Sequence, residues 1–323
     1  MALTDAAAPP FPFVVGAGRS GKGLLRAMLD SHPDLAMVNR SNFLLTFALQ
    51  RQRYEKPGGF DSDLFVDDFI AFHRALQGMG LEVDEVQAGV AEMAPRTLPE
   101  AVRALYRMHA AKQGKSRYGD KSVAYALRVQ EISALLPETR FVHLIRDGRD
   151  AALAYLDARY GPRQIDEGVQ RWRYRVEWVR REGQKLGADR YLELRYEDLL
   201  DDPETNLRRV CAFISLPFDP VMLRYFERPA IHVASAARPE DTHLVLPPTK
   251  GLIDWRSTLS AQDKAVADAL AGDLLAKMGY ERSKEHLALK DGVEVRRRQL
   301  LLAGRERGRR FRKRVSHRLR PRR

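Results

Sequence analysis

A single cysteine, Cys211, stands in a chain of 323 residues, so no intramolecular disulfide can form. It shares a helical face with Leu207, Val210 and Ile214, which makes it a core residue rather than a nucleophile, and a reducing cytosol suits it. No stretch approaches the ~18 uninterrupted apolar residues of a membrane span. The first ten residues have neither a basic start nor an apolar core, so neither a signal peptide nor a type II Golgi anchor is expected. Acid is scarce at the far end, where residues 296–323 hold 14 Lys and Arg against Glu306 alone. That tail accounts for the whole net charge of +12 and leaves the body near neutral. Phe311, Val315 and Leu319 fall four apart within it, a narrow apolar stripe able to lie on an anionic membrane. The competing expectation is a solvated basic tail. Few aromatics interleave its charges, so nucleic-acid binding is not expected. The expected location is cytoplasmic, with peripheral contact at the inner membrane face through residues 296–323.

What the chain does have is apolar residues enough, 44%, for a full α/β core. It also has two segments suited to phosphate. The first runs Val14-Val15-Gly16-Ala17-Gly18-Arg19-Ser20-Gly21-Lys22-Gly23 and the second Phe141-Val142-His143-Leu144-Ile145-Arg146-Asp147-Gly148-Arg149-Asp150. Each reads as strand, turn, helix, and a helix start offers unpaired N–H groups and a positive dipole end to an anion. Two such sites suit a ligand phosphorylated at both ends. Gly16, Gly21 and Lys22 nearly complete the nucleotide-triphosphatase loop G-x-x-x-x-G-K-[ST]. Gly23 then removes the hydroxyl that would hold Mg²⁺.

The remaining sequence organises around these segments. Strands are expected at Phe13–Val15, Arg140–Ile145 and Tyr191–Tyr196, and helices at Ser20–Ser31, Asn42–Lys56, Tyr125–Leu136, Gly168–Lys185 and Pro203–Ile214. Pro57-Gly58-Gly59 breaks a helix, and Thr97-Leu98-Pro99-Glu100 opens another as a capping box. Strands separated by helices imply a parallel sheet. Residues 1–12 form a disordered lead-in, 13–290 the domain and 291–323 the basic tail. Within the domain, 57–117 is a helical insertion beside the site, without β-runs, and 228–250 a loop or lid.

The run GAGRSGKGLLRAMLDSHPDL resembles the 5′-phosphosulfate loop of sulfotransferases. RYGDKS resembles that family's central lysine segment, RFVHLIRDGRDAALAY its 3′-phosphate strand and helix, and LRYEDLLDDPETNLRRVCAFISLPFDP its adenine-side strand and helix. Thr249-Lys250-Gly251 ahead of Trp255 resembles its closing loop. These matches span about Phe13 to Tyr280 in family order, and the helix-to-H-P run is most similar to the tyrosylprotein branch. The resemblance implies a P-loop-like three-layer α/β fold, with a central parallel sheet flanked by helices and a helical insertion. It also implies sulfuryl transfer from 3′-phosphoadenosine 5′-phosphosulfate, without a metal, to a hydroxyl or amine of a carbohydrate, lipid or small metabolite. By the same resemblance Arg19 contacts the 5′-phosphate, and Ser20, Gly21, Lys22, Gly23 and Leu24 supply donors. Lys121 approaches the transferring group, Arg146 binds the 3′-phosphate with Lys250 and Gly251 closing over it, and Tyr196 lies near the adenine. Arg19 and Arg146 are expected at opposite poles of one elongated pocket.

Three departures from the family pattern stand out. Lys22 and Gly23 replace two loop threonines, and Ala154 replaces a serine eight residues beyond Arg146. A hydrogen bond to a charged group is worth ~1.5–3 kcal/mol, so Ala154 weakens donor binding unless another group substitutes. The branch's glutamate base shortly after H-P has no counterpart in Val38-Asn39-Arg40-Ser41. Asp120, His73 and His109 are candidate bases, and nothing in the spacing selects among them. Two further classes stay open at this level: a P-loop kinase or triphosphatase using Lys22, and a noncatalytic relative that binds membrane or polyanion through its tail.

Overall fold

The computed structural model describes residues 8–156, 158, 161–227, 246–287 and 304. Most of the expected lid (228–245) and of the basic tail lies outside them. Strand β1 (Phe11–Val15) starts two residues earlier than its sequence indicates, taking in Phe11 and Pro12 from the expected lead-in. Phe11 and Phe13 are both 1% exposed, and burying two such rings outweighs the awkward proline between them. The Phe11 N–H bonds the Glu138 carbonyl beside the neighbouring strand, so by alternation the missing Pro12 donor falls on the opposite side of β1. There β1 meets its other neighbour at one register pair only, Phe13 with Asp120.

Five parallel strands form the sheet in the order β2 (Leu35–Asn39), β5 (Arg117–Lys121), β1, β6 (Thr139–Ile145), β7 (Tyr191–Arg195). One face packs on α1 (Lys22–Asp30) and α12 (Pro203–Phe213) through Val14, Val142 and Leu144. The other receives Phe13 and Phe141 against the helices of the insertion and α8 (Val129–Leu135). A third apolar cluster joins α9 (Gly148–Leu156) and α10 (Ile165–Gln184) to a C-terminal helix, Ala261–Lys277. These are the layers expected of a P-loop-like α/β domain.

The insertion is helical in four pieces: α4 (Ser62–Ile70), α5 (His73–Met79), α6 (Val83–Met93) and α7 (Leu98–Lys112). Thr97 caps α7 by accepting from the Glu100 N–H. The expected helix over Asn42–Lys56 stops at Tyr54 instead. Its last residues pair as a small hairpin, Glu55–Lys56 with Gly59–Phe60, turned by Pro57-Gly58. Over Tyr125–Leu136 the chain opens as a 3₁₀ turn, Val123–Leu127, before α8.

Candidate active site

The carboxyl ends of all five strands converge on one edge of the sheet. There β1 runs into the glycine-rich loop, β2 ends at Asn39, β5 at Lys121, β6 at Ile145 before Arg146, and β7 at Arg195 before Tyr196. Asn39 is in register with Lys121, and Ile145 with Arg195, so the ends are level. The chain order reverses direction around β1, and the crevice at such a switch point is where open α/β sheets bind ligands. Sequence spacing alone could not bring these segments together; the parallel topology does.

Close approach is built into the loop. At Gly16 a Cβ would sit 2.4 Å from the Leu144 carbonyl, and at Gly21 one would sit 2.2 Å from the Tyr196 ring, where φ is also +83°. Tyr196, which opens the short helix α11 (Tyr196–Asp201), therefore lies directly against the start of α1. Arg146 stacks over that ring, with its guanidinium carbon 4.9 Å from the centroid, and its Nη1 donates to the Arg19 carbonyl at 3.3 Å. Trp172 Nε1 holds the Arg146 carbonyl at 2.9 Å. The Arg146 Nε is buried and has no hydrogen-bond partner among the described residues. Arg19, Arg40 and Asn42 all hold positive φ (61°, 66° and 55°), a strained state that accumulates at functional sites.

The interior of the loop is cationic. Lys22 is 5% exposed, and its ammonium turns back onto the loop, donating to the Ala17 carbonyl and to Ser20 Oγ (3.1 Å). Ser20 Oγ donates to the same carbonyl at 3.0 Å. Burial, with Lys121, Arg175 and Arg40 adding like charge, pushes the Lys22 ammonium well below the usual lysine range. Lys121, also 5% exposed, donates to Asn39 Oδ1 at 2.8 Å. An arrangement of buried cations around donor groups at a helix start is complementary to a multiply charged anion.

The sequence-predicted residues fare differently. Arg19, Ser20, Gly21, Lys22, Lys121, Arg146 and Tyr196 meet at this edge. Arg146 reaches the Arg19 backbone through that carbonyl. Gly23 begins the second position of α1, and Leu24 is a core residue whose N–H is already held by the Gly21 carbonyl at 2.9 Å. Lys250 is paired with Asp201, on the helix that Tyr196 opens, and Gly251 beside it is exposed with φ +73°.

Of the candidate bases, Asp120 is wholly buried beneath Tyr106, whose hydroxyl donates to it at 2.7 Å. Burial raises its carboxyl to about 6. Strand alternation points it away from Lys121, its neighbour on β5. His109 Nδ1 lies 2.7 Å from the Met79 carbonyl within the insertion. His73 is exposed on α5, whose Gly78 approaches the Asn39 carbonyl.

Four contributors escaped the sequence reading: Asn39, which orients Lys121, and Tyr155, Trp172 and Arg175, which line a cleft beside the loop. The run Arg171-Trp172-Arg173-Tyr174-Arg175 on α10 was a signal, since two arginines one turn apart share a face.

A family model described as "Sulfotransferase family" matches residues 10–220. Protein-tyrosine sulfotransferase A of Caenorhabditis elegans is 22% identical over 288 residues, covering 84% of this chain and 67% of that protein. Mouse carbohydrate sulfotransferase 2 is 25% identical over 222 residues, covering 52% and 41%. Among solved structures, the sulfotransferase domain of the Synechococcus PCC 7002 olefin synthase superposes with a TM-score of 0.62 at 24% identity, covering 86% of this chain and 98% of that one. With the fold, the ordered strand ends and the matched span in agreement, the chain belongs to the sulfotransferase family and is a sulfotransferase enzyme.

Proposed function

We propose that this sulfotransferase takes its sulfuryl group from 3′-phosphoadenosine 5′-phosphosulfate and passes it to a hydroxyl or amine of a carbohydrate, protein tyrosine, lipid or small metabolite. The observation that carries this reading is the packed unit of glycine-rich loop, Arg146 and Tyr196, in which a buried guanidinium nitrogen lacks a partner among the described residues and the ring lies against the loop. Such a cradle fits a nucleotide with phosphates on both sides of its sugar. When bound, the donor supplies an SO₃ group whose bond to the 5′-phosphate oxygen breaks as the bond to the acceptor forms.

The chain's own residues manage the charge. Arg19 and the N–H groups of the loop hold the 5′ end, Arg146 the 3′-phosphate with Lys250 and Gly251, and Tyr196 the adenine. Lys121, aimed by Asn39, stabilises negative charge on the leaving oxygen. Lys22 and Ser20 now satisfy the Ala17 carbonyl, and an incoming anion competes for both. Asp120 and His109 serve the fold in this reading, because the first is sealed under Tyr106 and the second is tied to Met79.

The deciding experiment is a thermal melt with adenosine 3′,5′-bisphosphate in the absence of Mg²⁺, followed by labelled-sulfate transfer by the parent and Lys121→Ala. A rise in Tm with millimolar bisphosphate and loss of labelling in the variant are expected. No shift, or Mg²⁺-dependent ATP binding tighter than bisphosphate binding, defeats the reading. Residence in the cytoplasm with peripheral membrane contact through 296–323 is a separate proposal from sequence, tested by fractionation before and after truncation at Val295.

A further inference from the structure

The chain ahead of the C-terminal helix runs between two elements of the reacting edge. From Thr249 to Leu252 every residue is exposed, so no core holds this strap, and its position depends on what ties its ends. One tie is the pair of Lys250 with Asp201, at the end of the helix that Tyr196 opens. These side chains are 63% and 59% exposed, and a surface pair of this kind is worth so little that a phosphate displaces Asp201 at small cost. The other tie is of a different kind. Trp255, 3% exposed, opens the short helix Trp255–Thr258, and its backbone N–H donates to Asp150 Oδ1 at 2.7 Å. The Trp255 ring lies against Arg149, which fixes the residue, and the bond to Asp150 fixes the direction in which the strap leaves it.

Asp150 stands where a carboxylate is otherwise out of place. It lies in the first turn of α9, one helical turn beyond Arg146, where the charges of the two act on each other and Asp150 acts on the Tyr196 hydroxyl as well. This is the side read above as that of the 3′-phosphate, and an anion there repels a phosphate. The tether gives the carboxylate its use. A strap already held at its base loses less freedom when its tip closes on a ligand, and affinity rises by the ordering cost so avoided. Resting on the donor reading, we infer that Asp150 is a positioning residue for donor capture: by holding the Trp255 N–H it fixes the base of the strap, from which Lys250 and Gly251 leave Asp201 and close over the 3′-phosphate. The tie at Asp201 is the one that opens, and the tie at Asp150 the one that stays.

The test titrates the full chain calorimetrically, without Mg²⁺, with adenosine 3′,5′-bisphosphate and with adenosine 5′-monophosphate, which lacks the 3′-phosphate. Burial raises the Asp150 carboxyl to about 6, so a buffer near about pH 8 keeps it ionised. The parent is expected to prefer the bisphosphate by at least ~100-fold, the effect of two charge-assisted hydrogen bonds. Asp150→Ala cuts that preference at least ~10-fold while monophosphate affinity stays within about twofold of the parent, and Asp150→Asn, which keeps an acceptor oxygen without the charge, retains it. Lys250→Ala cuts the preference too, and the double variant loses less than the product of the single losses, because both act through one strap. An undiminished preference in Asp150→Ala, or single losses that multiply in the double variant, overturns the proposal. Equal loss of both nucleotides in Asp150→Ala makes Asp150 a residue of the fold, and loss of the preference in Asp150→Asn assigns the effect to charge; either overturns it too. All of these outcomes spare the donor reading, whereas a parent that binds both nucleotides equally, or neither, defeats that reading and the proposal with it.

Discussion

Arg149 and Lys22 are both buried cations, one at the start of α9 and one at the start of α1, yet their surroundings are opposite. Arg149, 0% exposed, donates to Asp147 at 2.7 and 3.0 Å, to Asp268 at 3.4 Å and to the Glu281 carbonyl at 2.7 Å, and it stacks 3.5 Å from the Trp255 ring centroid. Lys22 bonds a carbonyl and a hydroxyl, and among the described residues the charges that act on it most, those of Lys121, Arg175 and Arg40, are cations. The difference separates two uses of a buried charge. A cation enclosed by acids is a staple, here between α9 and the C-terminal helix. A cation enclosed by other cations is a site prepared for an anion.

This contrast can be broken at several points. The largest effect is expected from Arg149→Met, which strands Asp147 and Asp268 in the interior and costs ~3–5 kcal/mol in a denaturant titration. A loss under about 1 kcal/mol would show that the staple carries little. Lys121→Ala should lower sulfate transfer by ~10²–10³-fold with a small change in Tm, as removal of a preorganised charge donor does. Equal turnover in the variant removes Lys121 from the chemistry.

Asp120 supplies a pH test. Its carboxyl is raised from 3.8 to about 6, so the folded state holds a proton that the unfolded chain releases. Its contribution is complete below about pH 4 and disappears as pH rises through 6, a decline on the order of 2–3 kcal/mol. Asp120→Asn should flatten that decline in melts taken from pH 4 to 7.

The smallest effect belongs to Lys22. Its folded value lies below that of an unfolded lysine, so folding releases a proton, and stability increases with pH across the interval up to 10.5. Lys22→Met should therefore be as stable as the parent, or more stable by about 1 kcal/mol, near pH 7, with the gap narrowing toward pH 10. The same variant should bind adenosine 3′,5′-bisphosphate more weakly. A variant that melts much earlier than the parent would make Lys22 a structural residue.

Much of this framework was legible in the chain. Strands β1, β6 and β7 are short apolar or β-branched runs, and α1, α10 and α12 carry clear helical spacing. Strands β2 and β5 were missed for a physical reason: Leu35–Asn39 has a single β-branched residue, and Arg117–Lys121 is polar along its length. Each is a strand because its neighbours cover it, a fact that no local pattern encodes. The same holds within the site. The order of Gly21, Lys121, Arg146 and Tyr196 could be read from motifs, whereas the Asn39–Lys121 bond joins residues 82 apart.

The register of β1 bears on how such a chain is made. Phe13 pairs with Asp120 on one side and Phe141 on the other, so this apolar segment has no strand to join until more than a hundred further residues have left the ribosome. Contacts so distant make folding slow, and until they form the two phenylalanines are open to aggregation or to capture by a chaperone. An N-terminal fragment ending before Arg117 is expected to be insoluble, and biogenesis of the whole chain to depend on what shelters its first strand.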